Sequence, residues 1–549
     1  MYSNFFFVII VWKYFVFHSL STFAKVLFFL LQNNLTLENS ITENEKVLNP
    51  YCPKIVILHK QKKLTMISFI IALLLLILGY LIYGKFVEKV FKTDYNRKTP
   101  AIANPDGVDY IPMPWWKLFL IQFLNIAGTG PIFGAVMGIM FGPAAFLWIV
   151  FGCIFAGAVH DFISAMISIR QNGASLTEIV GSQLGKGIKK LMLLFTIILL
   201  VMVGAVFVSQ PAALLHGLIP SVSVTLFAGI VFAYYTLATL LPVDKIIGKI
   251  YPVFGFIFIF MAIGLLVSIF RNNAPIPEVW NNLKNMHPQG LPIFPMMFVS
   301  IACGAISGFH ATQSPLMARC ITNERYGRRV FYGAMITEGI VALIWAASAS
   351  SFFAGMYPNC ANGIEALQKY SAEGHETAEI VAKICKGWLG TVGGILAIIG
   401  VVVAPITSGD TALRSGRLII ADFFHFDQKP LVKRLIVAVP IFIVTFLIMN
   451  LKSDVLWRYF AWSNQTLSVF TLWACSVYLY KQHKNYFITL FPAMFMTAVC
   501  FTYILSAPEG FHLNYTLSVI SGVVIAFMFC GMFVYWAKNY KSLISIKKE

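Results

Sequence analysis

Apolar runs about 20 residues long recur along this chain of 549 residues, and each could cross the hydrocarbon core of a bilayer as one α-helix. Hydrophobic residues make up 58% of the sequence and charged residues only 12%, which is far from the composition of water-soluble domains. In lipid, backbone polar groups must be paired within a helix or a closed barrel. The sequence therefore predicts an all-α polytopic membrane protein.

Thirteen such runs follow residue 65, so we expect about 13 transmembrane helices. Most are joined by short loops, and the two long loops cover 271–291 and 356–386. The predicted spans are 66–84, 116–141, 143–169, 188–216, 222–243, 249–270, 292–318, 328–355, 387–413, 431–450, 454–480, 485–506 and 513–537.

Basic residues alternate between rich and poor loops, which orients the chain because Lys and Arg concentrate on the cytoplasmic side. After residue 65, one set of alternate loops and span ends holds 28 basic residues and the other set holds 6. This pattern predicts a cytoplasmic C-terminus and an odd number of spans. The net charge of +18 is spread in small groups and forms no single patch, so nucleic-acid binding is not expected.

The first 65 residues break the charge rule. Residues 5–31 are apolar, and four lysines between 54 and 63 would lie on the outer face. We therefore expect that the extension over 1–65 is absent from the mature protein, either because translation starts at Met66 or because a targeting segment is removed.

Two predicted spans carry polar, glycine-rich breaks near their middle, "NIAGTGPIFG" at 125–134 and "GAISGFHATQSP" at 304–315. Glycine and proline weaken a helix, so both should unwind locally. The second break lies five spans after the first, and an odd unit inserts its second copy upside down. The pattern predicts inverted five-helix repeats over 116–271 and 272–480 with a ligand site between the breaks. A further helix and loop at 66–115 and two helices with a tail at 481–549 flank them.

Four motifs resemble the carbon starvation protein A family: "NPDGVDYIPMPWWKLFLIQFLNIAGTGPIFGAVMG" (104–138), "GAVHDFISAMISIRQNGASLTEIV" (157–180), "IACGAISGFHATQSPLMAR" (301–319) and "TSGDTALRSGRLIIAD" (407–422). The resemblance implies import of pyruvate or small peptides across the bacterial inner membrane during nutrient starvation. It also implies a LeuT-like fold of the amino acid–polyamine–organocation superfamily. No cofactor is expected besides a co-transported proton or sodium ion.

This chain departs from the long members of that family after Gly-Phe-His. It has Thr-Gln-Ser-Pro-Leu at 312–316, where they tend to read Ser-Gly-Thr-Thr-Pro-Lys, so the lysine is missing. Because this segment is expected to line the site, the choice between pyruvate and peptide does not carry over.

Half-helix N-termini expose backbone N–H groups that attract a carboxylate. The predicted substrate-binding residues lie at the two breaks: Gly128, Thr129, Gly130, Ser307, Gly308, His310, Thr312, Gln313 and Ser314. The alternative for the polar residues after His310 is that they cap the second half-helix.

Ionisable and hydroxyl groups in the ninth predicted span form the predicted ion-coupling site: Thr407, Ser408, Asp410 and Thr411. By resemblance, this helix faces the first broken helix and helps to form a cation site. The alternative for Asp410 is a structural i,i+4 ion pair with Arg414.

Other ionisable groups within the spans are predicted to gate or to support the fold: His160, Asp161, Glu338 and Arg414. His160 and Asp161 are placed nearer the cytoplasmic end, with Asp161 facing Arg170 or a loop lysine. The nine cysteines show no CxxC or Cys/His ligand spacing, so no metal site is predicted. Cys360 and Cys385 share a predicted external loop and could form a disulfide.

A hydrolase is the rival class of protein, with Ser307 as nucleophile and His310 as base, or with Asp410 and Asp161 as an aspartyl pair. Neither pair is accompanied by a fuller catalytic motif. A passive channel or a nutrient sensor is the third class. A secondary transporter of a carboxylate-bearing nutrient, without enzymatic activity, is the function that the sequence favours.

Overall fold

The computed structural model describes residues 66–107, 109–240, 243–281, 283–426, 430–449 and 453–546. The predicted N-terminal extension over 1–65 lies outside the described residues. Regular structure in the described ranges is helical, apart from an isolated parallel bridge between Met113 and Ile321.

We label the main helices of the described ranges in chain order. They are α1 (Ile67–Phe91), α2 (Trp115–Ile126), α3 (Gly130–Phe141), α4 (Ala144–Arg170), α5 (Leu176–Leu184), α6 (Lys186–Leu218), α7 (Val224–Leu240), α8 (Val243–Arg271), α9 (Ile293–Met297 with Phe298–Ser300), α10 (His310–Ala318), α11 (Glu324–Gly355), α12 (Gly363–Ala372), α13 (Thr377–Phe424), α14 (Leu431–Ile448), α15 (Ser453–Lys481), α16 (Phe487–Ser506) and α17 (Tyr515–Ile546).

Within the described ranges, eight helices are long and apolar enough to cross a membrane, and a ninth span results if the bent pair α2 and α3 is counted as one. The protein is therefore a multi-pass helical membrane protein, as the apolar runs predict. The other four predicted runs contain α7, the pair α9 and α10, α14 and α15. The full count of 13 spans and the inverted repeat stay predictions.

Both polar stretches interrupt their helices, so the prediction of local unwinding is confirmed. α2 ends at Ile126 and α3 begins at Gly130, with an angle of 58° between the two helices. Pro131 stands in the first turn of α3, where its missing N–H removes no helical bond. The second break is longer and runs from the end of α9 at Ser300 to the start of α10 at His310.

The two breaks lie deep inside the bundle. α2, which precedes the first break, packs against α8, α11 and α13. α10, which follows the second break, packs against α2 and α4. α15 packs against α4 and α6. All residues of 120–136 and 301–321 are buried as a result. Backbone without helical pairing is tolerated at such depth only where protein or a cavity surrounds it, and here protein surrounds it.

The start of α1 is capped by a side chain from the loop before α9. The backbone N–H groups of Met66, Ile67 and Ser68 donate to the carboxylate of Glu278 over 2.7–2.8 Å, and the Ser68 hydroxyl also donates to it. These N–H groups have no partner within the helix, so an acceptor with negative charge satisfies them and favours the helix dipole.

The predicted disulfide between Cys360 and Cys385 is absent, because both residues are free thiols. Cys385 belongs to α13, where its side chain is fully buried in the apolar core, and Cys360 lies half-buried in the turn before α12. The sequence places both cysteines in one polar loop, whereas α13 begins at Thr377 and carries Cys385 into the bundle.

Candidate functional site

The second break is held open by one asparagine of α15. Asn464 accepts hydrogen bonds at its side-chain oxygen from the Ser307 hydroxyl (3.0 Å) and from the Phe309 N–H (2.7 Å), and its backbone carbonyl accepts from the Gly308 N–H. A side chain at Gly308 has no room, because a Cβ would lie 2.4 Å from both Asn464 O and Ser468 N. Unpaired backbone groups of the break thus find partners on a neighbouring helix.

The first break touches the second. A Cβ at Gly130 would lie 2.3 Å from Cβ and Sγ of Cys303, and a Cβ at Gly134 would lie 2.7 Å from the carbonyl oxygen of Ser300. Gly128 faces Phe207 of α6 and the hydroxyl of Ser408. The structure thus brings together the two stretches that the sequence predicts to form the substrate site.

Polar side chains of α10 extend this region toward α2 and α13. The amide of Gln122 donates to the Ser314 hydroxyl (3.3 Å), and the amide of Gln313 donates to the Thr312 hydroxyl (2.8 Å). Ser415 of α13 donates to the backbone carbonyl of Thr312 at 3.3 Å. Neither Gln313 nor Ser314 caps α10, since the Gln313 amide donates to the hydroxyls of Thr312 and Ser415 and the Ser314 hydroxyl accepts from Gln122.

Several buried polar atoms near the breaks have no hydrogen-bond partner among the residues that the structure describes. They are Oε1 of Gln122, both amide atoms of Asn125, Oγ1 of Thr129 and Oε1 of Gln313. Buried polar groups are nearly always hydrogen-bonded in native proteins, so these atoms mark places where a small polar molecule or water would bind.

His160, Asp161, His310 and Glu338 form one buried network around the second break. Nδ1 of His160 lies 2.7 Å from Oδ1 of Asp161, and Nδ1 of His310 lies 2.9 Å from Oδ2 of the same carboxylate. Nε2 of His310 lies 3.4 Å from Oε2 of Glu338, and all four side chains are 0% exposed. The sequence places His160 and Asp161 nearer the cytoplasmic end of their span, and the structure brings Asp161 into contact with His310 of the second break because α4 packs directly against α10.

Arg170 does not pair with Asp161. Its guanidinium binds the buried carboxylate of Glu324 at 3.1–3.2 Å, at the far end of α4. The sequence places Glu324 in a plain basic loop, yet its side chain is 0% exposed and also accepts from the Asp94 N–H.

The predicted ion-coupling residues belong to α13, and two of them contact the end of α2. The Ser408 hydroxyl donates to the Leu124 carbonyl at 2.9 Å, and the Thr407 hydroxyl lies 3.4 Å from the same oxygen. Thr411 donates within its own helix, to the carbonyls of Thr407 and Ser408. α13 therefore faces the first broken helix, as the resemblance implies.

Asp410 makes its hydrogen bond across the bundle. The Tyr251 hydroxyl of α8 donates to Oδ2 of Asp410 at 2.6 Å, while Oδ1 has no hydrogen-bond partner among the described residues. Arg414 donates from Nη2 to the carbonyl of Ala238 at 2.6 Å. Tyr251 is absent from the sequence-based site, because a tyrosine in an apolar run carries no signal of a distant carboxylate.

A catalytic pair of Ser307 and His310 is not assembled. The Ser307 hydroxyl donates to Asn464, the His310 ring binds Asp161, and no hydrogen bond joins the two side chains in the described part of the chain. A nucleophile and its base need such contact, even where it is loose.

A helical bundle with two apposed broken helices around a buried polar centre is the architecture of a membrane transporter. The family model described as carbon starvation protein CstA matches residues 64–234 and 219–385. The chain belongs to this family.

Relatives share different extents of the chain. A Haemophilus influenzae protein described as an uncharacterized membrane protein is 44% identical over 53% of this chain and 92% of its own length. The Escherichia coli pyruvate/proton symporter BtsT is 28% identical over 65% of this chain and 60% of its length. The Bacillus subtilis peptide transporter CstA is 26% identical over 74% of this chain and 82% of its length.

Among solved structures, a manganese transporter of Eremococcus coleocola is similar at 14% identity and a TM-score of 0.46. The similarity covers 79% of this chain and 98% of that one.

Proposed function

We propose that the protein imports a small carboxylate-bearing nutrient, pyruvate or a short peptide, by symport with a proton or a sodium ion. The observation that carries the proposal is the contact between the two breaks, with unpartnered polar atoms of Asn125 and Thr129 buried beside them. The names of BtsT and of the CstA relatives supply the two substrate classes. The same relatives favour a bacterial inner membrane location.

The substrate carboxylate binds at the starts of α3 and α10. The Thr129 hydroxyl, which has no hydrogen-bond partner among the described residues, is the donor, and the positive ends of the two helix dipoles favour negative charge. The unpartnered Oε1 of Gln313 accepts from a peptide or α-amino N–H if the substrate is a peptide. Alternating access results when the first predicted repeat, 116–271, rocks against the second, 272–480, about this site.

The driving ion binds near Asp410. The Leu124 carbonyl, the hydroxyls of Thr407 and Ser408 and the free Oδ1 of Asp410 are oxygen donors at the junction of α2 and α13. An unwound helix end beside carbonyl and carboxylate oxygens is the kind of site that coordinates the coupling ion in such transporters.

Uptake into proteoliposomes tests the proposal. Labelled pyruvate and labelled dipeptides are offered with a proton gradient, a sodium gradient or neither, and we expect uphill accumulation of one substrate with one gradient. His310→Ala should abolish uptake, whereas Ser268→Ala should transport normally, because the Ser268 hydroxyl bonds only the Gly264 carbonyl of its own helix.

Three results would contradict the proposal. Gradient-independent equilibration indicates a channel, and chemical conversion of the substrate indicates a hydrolase. Absence of uptake of either substrate class indicates a sensor or another cargo. Near-normal uptake by His310→Ala would remove this residue from the site.

A further inference from the structure

Three potential metal ligands converge at the second break. Sγ of Cys303, Nε2 of His310 and a carboxylate oxygen of Glu338 all lie within 4.8 Å of one another. Their side chains are 2%, 0% and 0% exposed. Cys303 and His310 stand at the two sides of the break, and Glu338 comes from α11.

Two of these ligands have atoms without a hydrogen-bond partner. Within the described part of the chain, Nε2 of His310 and both oxygens of Glu338 form no hydrogen bond, although Nε2 and Oε2 are 3.4 Å apart. That separation fits two ligands of one tetrahedral ion, since bonds of about 2.1 Å place neighbouring ligand atoms about 3.4 Å apart. A buried carboxylate without a partner is costly, so a cation beside Glu338 would stabilise it.

The neighbouring groups orient the ligands as in known metal sites. Oδ2 of Asp161 lies 2.9 Å from Nδ1 of His310, and Oδ1 of Asp161 lies 2.7 Å from Nδ1 of His160. A carboxylate on Nδ1 fixes the tautomer that leaves the Nε2 lone pair free for a metal. The amide of Asn464 donates to Sγ of Cys303 at 3.5 Å.

We propose that Cys303, His310 and Glu338 bind one divalent transition-metal ion of the zinc class. A thiolate and an imidazole with one carboxylate suit zinc or cobalt and disfavour magnesium and calcium, which prefer oxygen ligands. Binding releases the thiol proton of Cys303, and the two negative ligands then balance the charge of the ion. The ion links the second break to α11 through these three ligands. Its fourth coordination position is left for water or another ligand.

The purified full-length protein tests this proposal with cobalt as the probe. We expect about one bound cobalt per chain by elemental analysis and a thiolate-to-cobalt charge-transfer band, with zinc displacing the cobalt. Cys303→Ala should lose the band, and His310→Ala and Glu338→Gln should lose the ion. Asp161→Asn, which contacts only the ring of His310 among these ligands, should weaken cobalt affinity roughly 10–100-fold.

Cys475→Ala is the matched control, because Cys475 is a fully buried cysteine of α15 outside the group. Its band should equal that of the unmodified protein. Absence of stoichiometric cobalt in the unmodified protein, or a band that persists in Cys303→Ala, would overturn the proposal. No substrate or gradient is present, so this result is independent of the transport experiment.

Discussion

Asn464 shows how one residue can hold an unwound segment in place. Its side chain and backbone bind three consecutive residues of the second break, 307–309, and its amide reaches Cys303. These hydrogen bonds join α15 to the second broken helix. The identity of its partners could not be predicted, because they depend on how α15 packs against a non-helical segment.

Replacement of Asn464 by alanine should lower stability by about 1–3 kcal/mol, because it removes the acceptor of the Ser307 hydroxyl and of the Phe309 N–H. The thermal midpoint of the purified protein measures this. Thr471→Ala is the control, since the buried Thr471 hydroxyl bonds only the Leu467 carbonyl of the same helix. Equal midpoints for the two variants would mean that Asn464 does not hold the break.

The sequence identifies the charged and imidazole side chains of the site, but it does not show that they lie together. His160, Asp161 and Glu338 stand out because charged and imidazole groups are rare in membrane spans. They come from two helices far apart in sequence, so only the packing of α4 and α11 around His310 shows that they form one network. Cys303 gave no signal, because a buried cysteine usually behaves as a small apolar residue.

At the scale of elements, glycines set the distance between the two broken helices. Gly130, Gly134 and Gly138 follow each other at four-residue spacing along α3 and face Cys303, Ser300 and Ile301 of the second broken helix. Small residues at this spacing let membrane helices approach closely. The sequence predicts the breaks from the same glycines, but the contact between the two breaks also needs the fold that apposes them.

Gly130→Ala should separate the two breaks, because its Cβ would overlap Cβ and Sγ of Cys303. We expect a loss of about 1–3 kcal/mol in stability, typical of overpacking, together with loss of uptake. Gly229→Ala on α7 is the control, since a Cβ there meets nothing within 4 Å. Thermal midpoints and uptake are measured for both variants, and unchanged values for Gly130→Ala would show that the breaks need no close contact.

At the scale of the whole molecule, loops predicted to share one side of the membrane do contact each other. Arg170 binds Glu324, the Lys481 ammonium lies 3.1 Å from Oε1 of Gln183, and the Lys484 ammonium donates to the Phe91 carbonyl. On the opposite set of loops, the Gln368 amide donates to the Met286 carbonyl at 2.7 Å. These contacts agree with the alternation of basic residues, except at Arg458, whose guanidinium pairs with Glu509 in a loop of the opposite set.

The C-terminus is expected to be cytoplasmic, because the basic-rich loops contact one another at one end. A fluorescent protein fused after residue 549 should fluoresce in the bacterial cell, and alkaline phosphatase at the same point should be inactive. The reverse pair of results would contradict the predicted orientation. Fusions after Ala372, in a loop predicted to be external, should give the reverse pair and serve as the control.

The all-helical fold can be predicted from the sequence, because a long apolar run in lipid must pair its own backbone polar groups, and a helix does so. Length and hydropathy do not give the number of spans in the same way. Only eight or nine helices of the described ranges are both long enough and apolar enough to cross a membrane. α15 illustrates the cause. It is 29 residues long, but the polar residues that bind the second break, Asn464 among them, lower its apolar content.

The hydrogen bonds between Glu278 and the start of α1 form late in the synthesis of the chain. Among the described helices α1 is synthesised first, but the carboxylate that completes its N-terminus lies about 210 residues further along the chain. At the usual pace of synthesis, ~5–20 residues per second, that carboxylate emerges roughly 10–40 s after α1. The N-terminus of α1 therefore acquires these hydrogen bonds only when the loop before the second broken helix has been made.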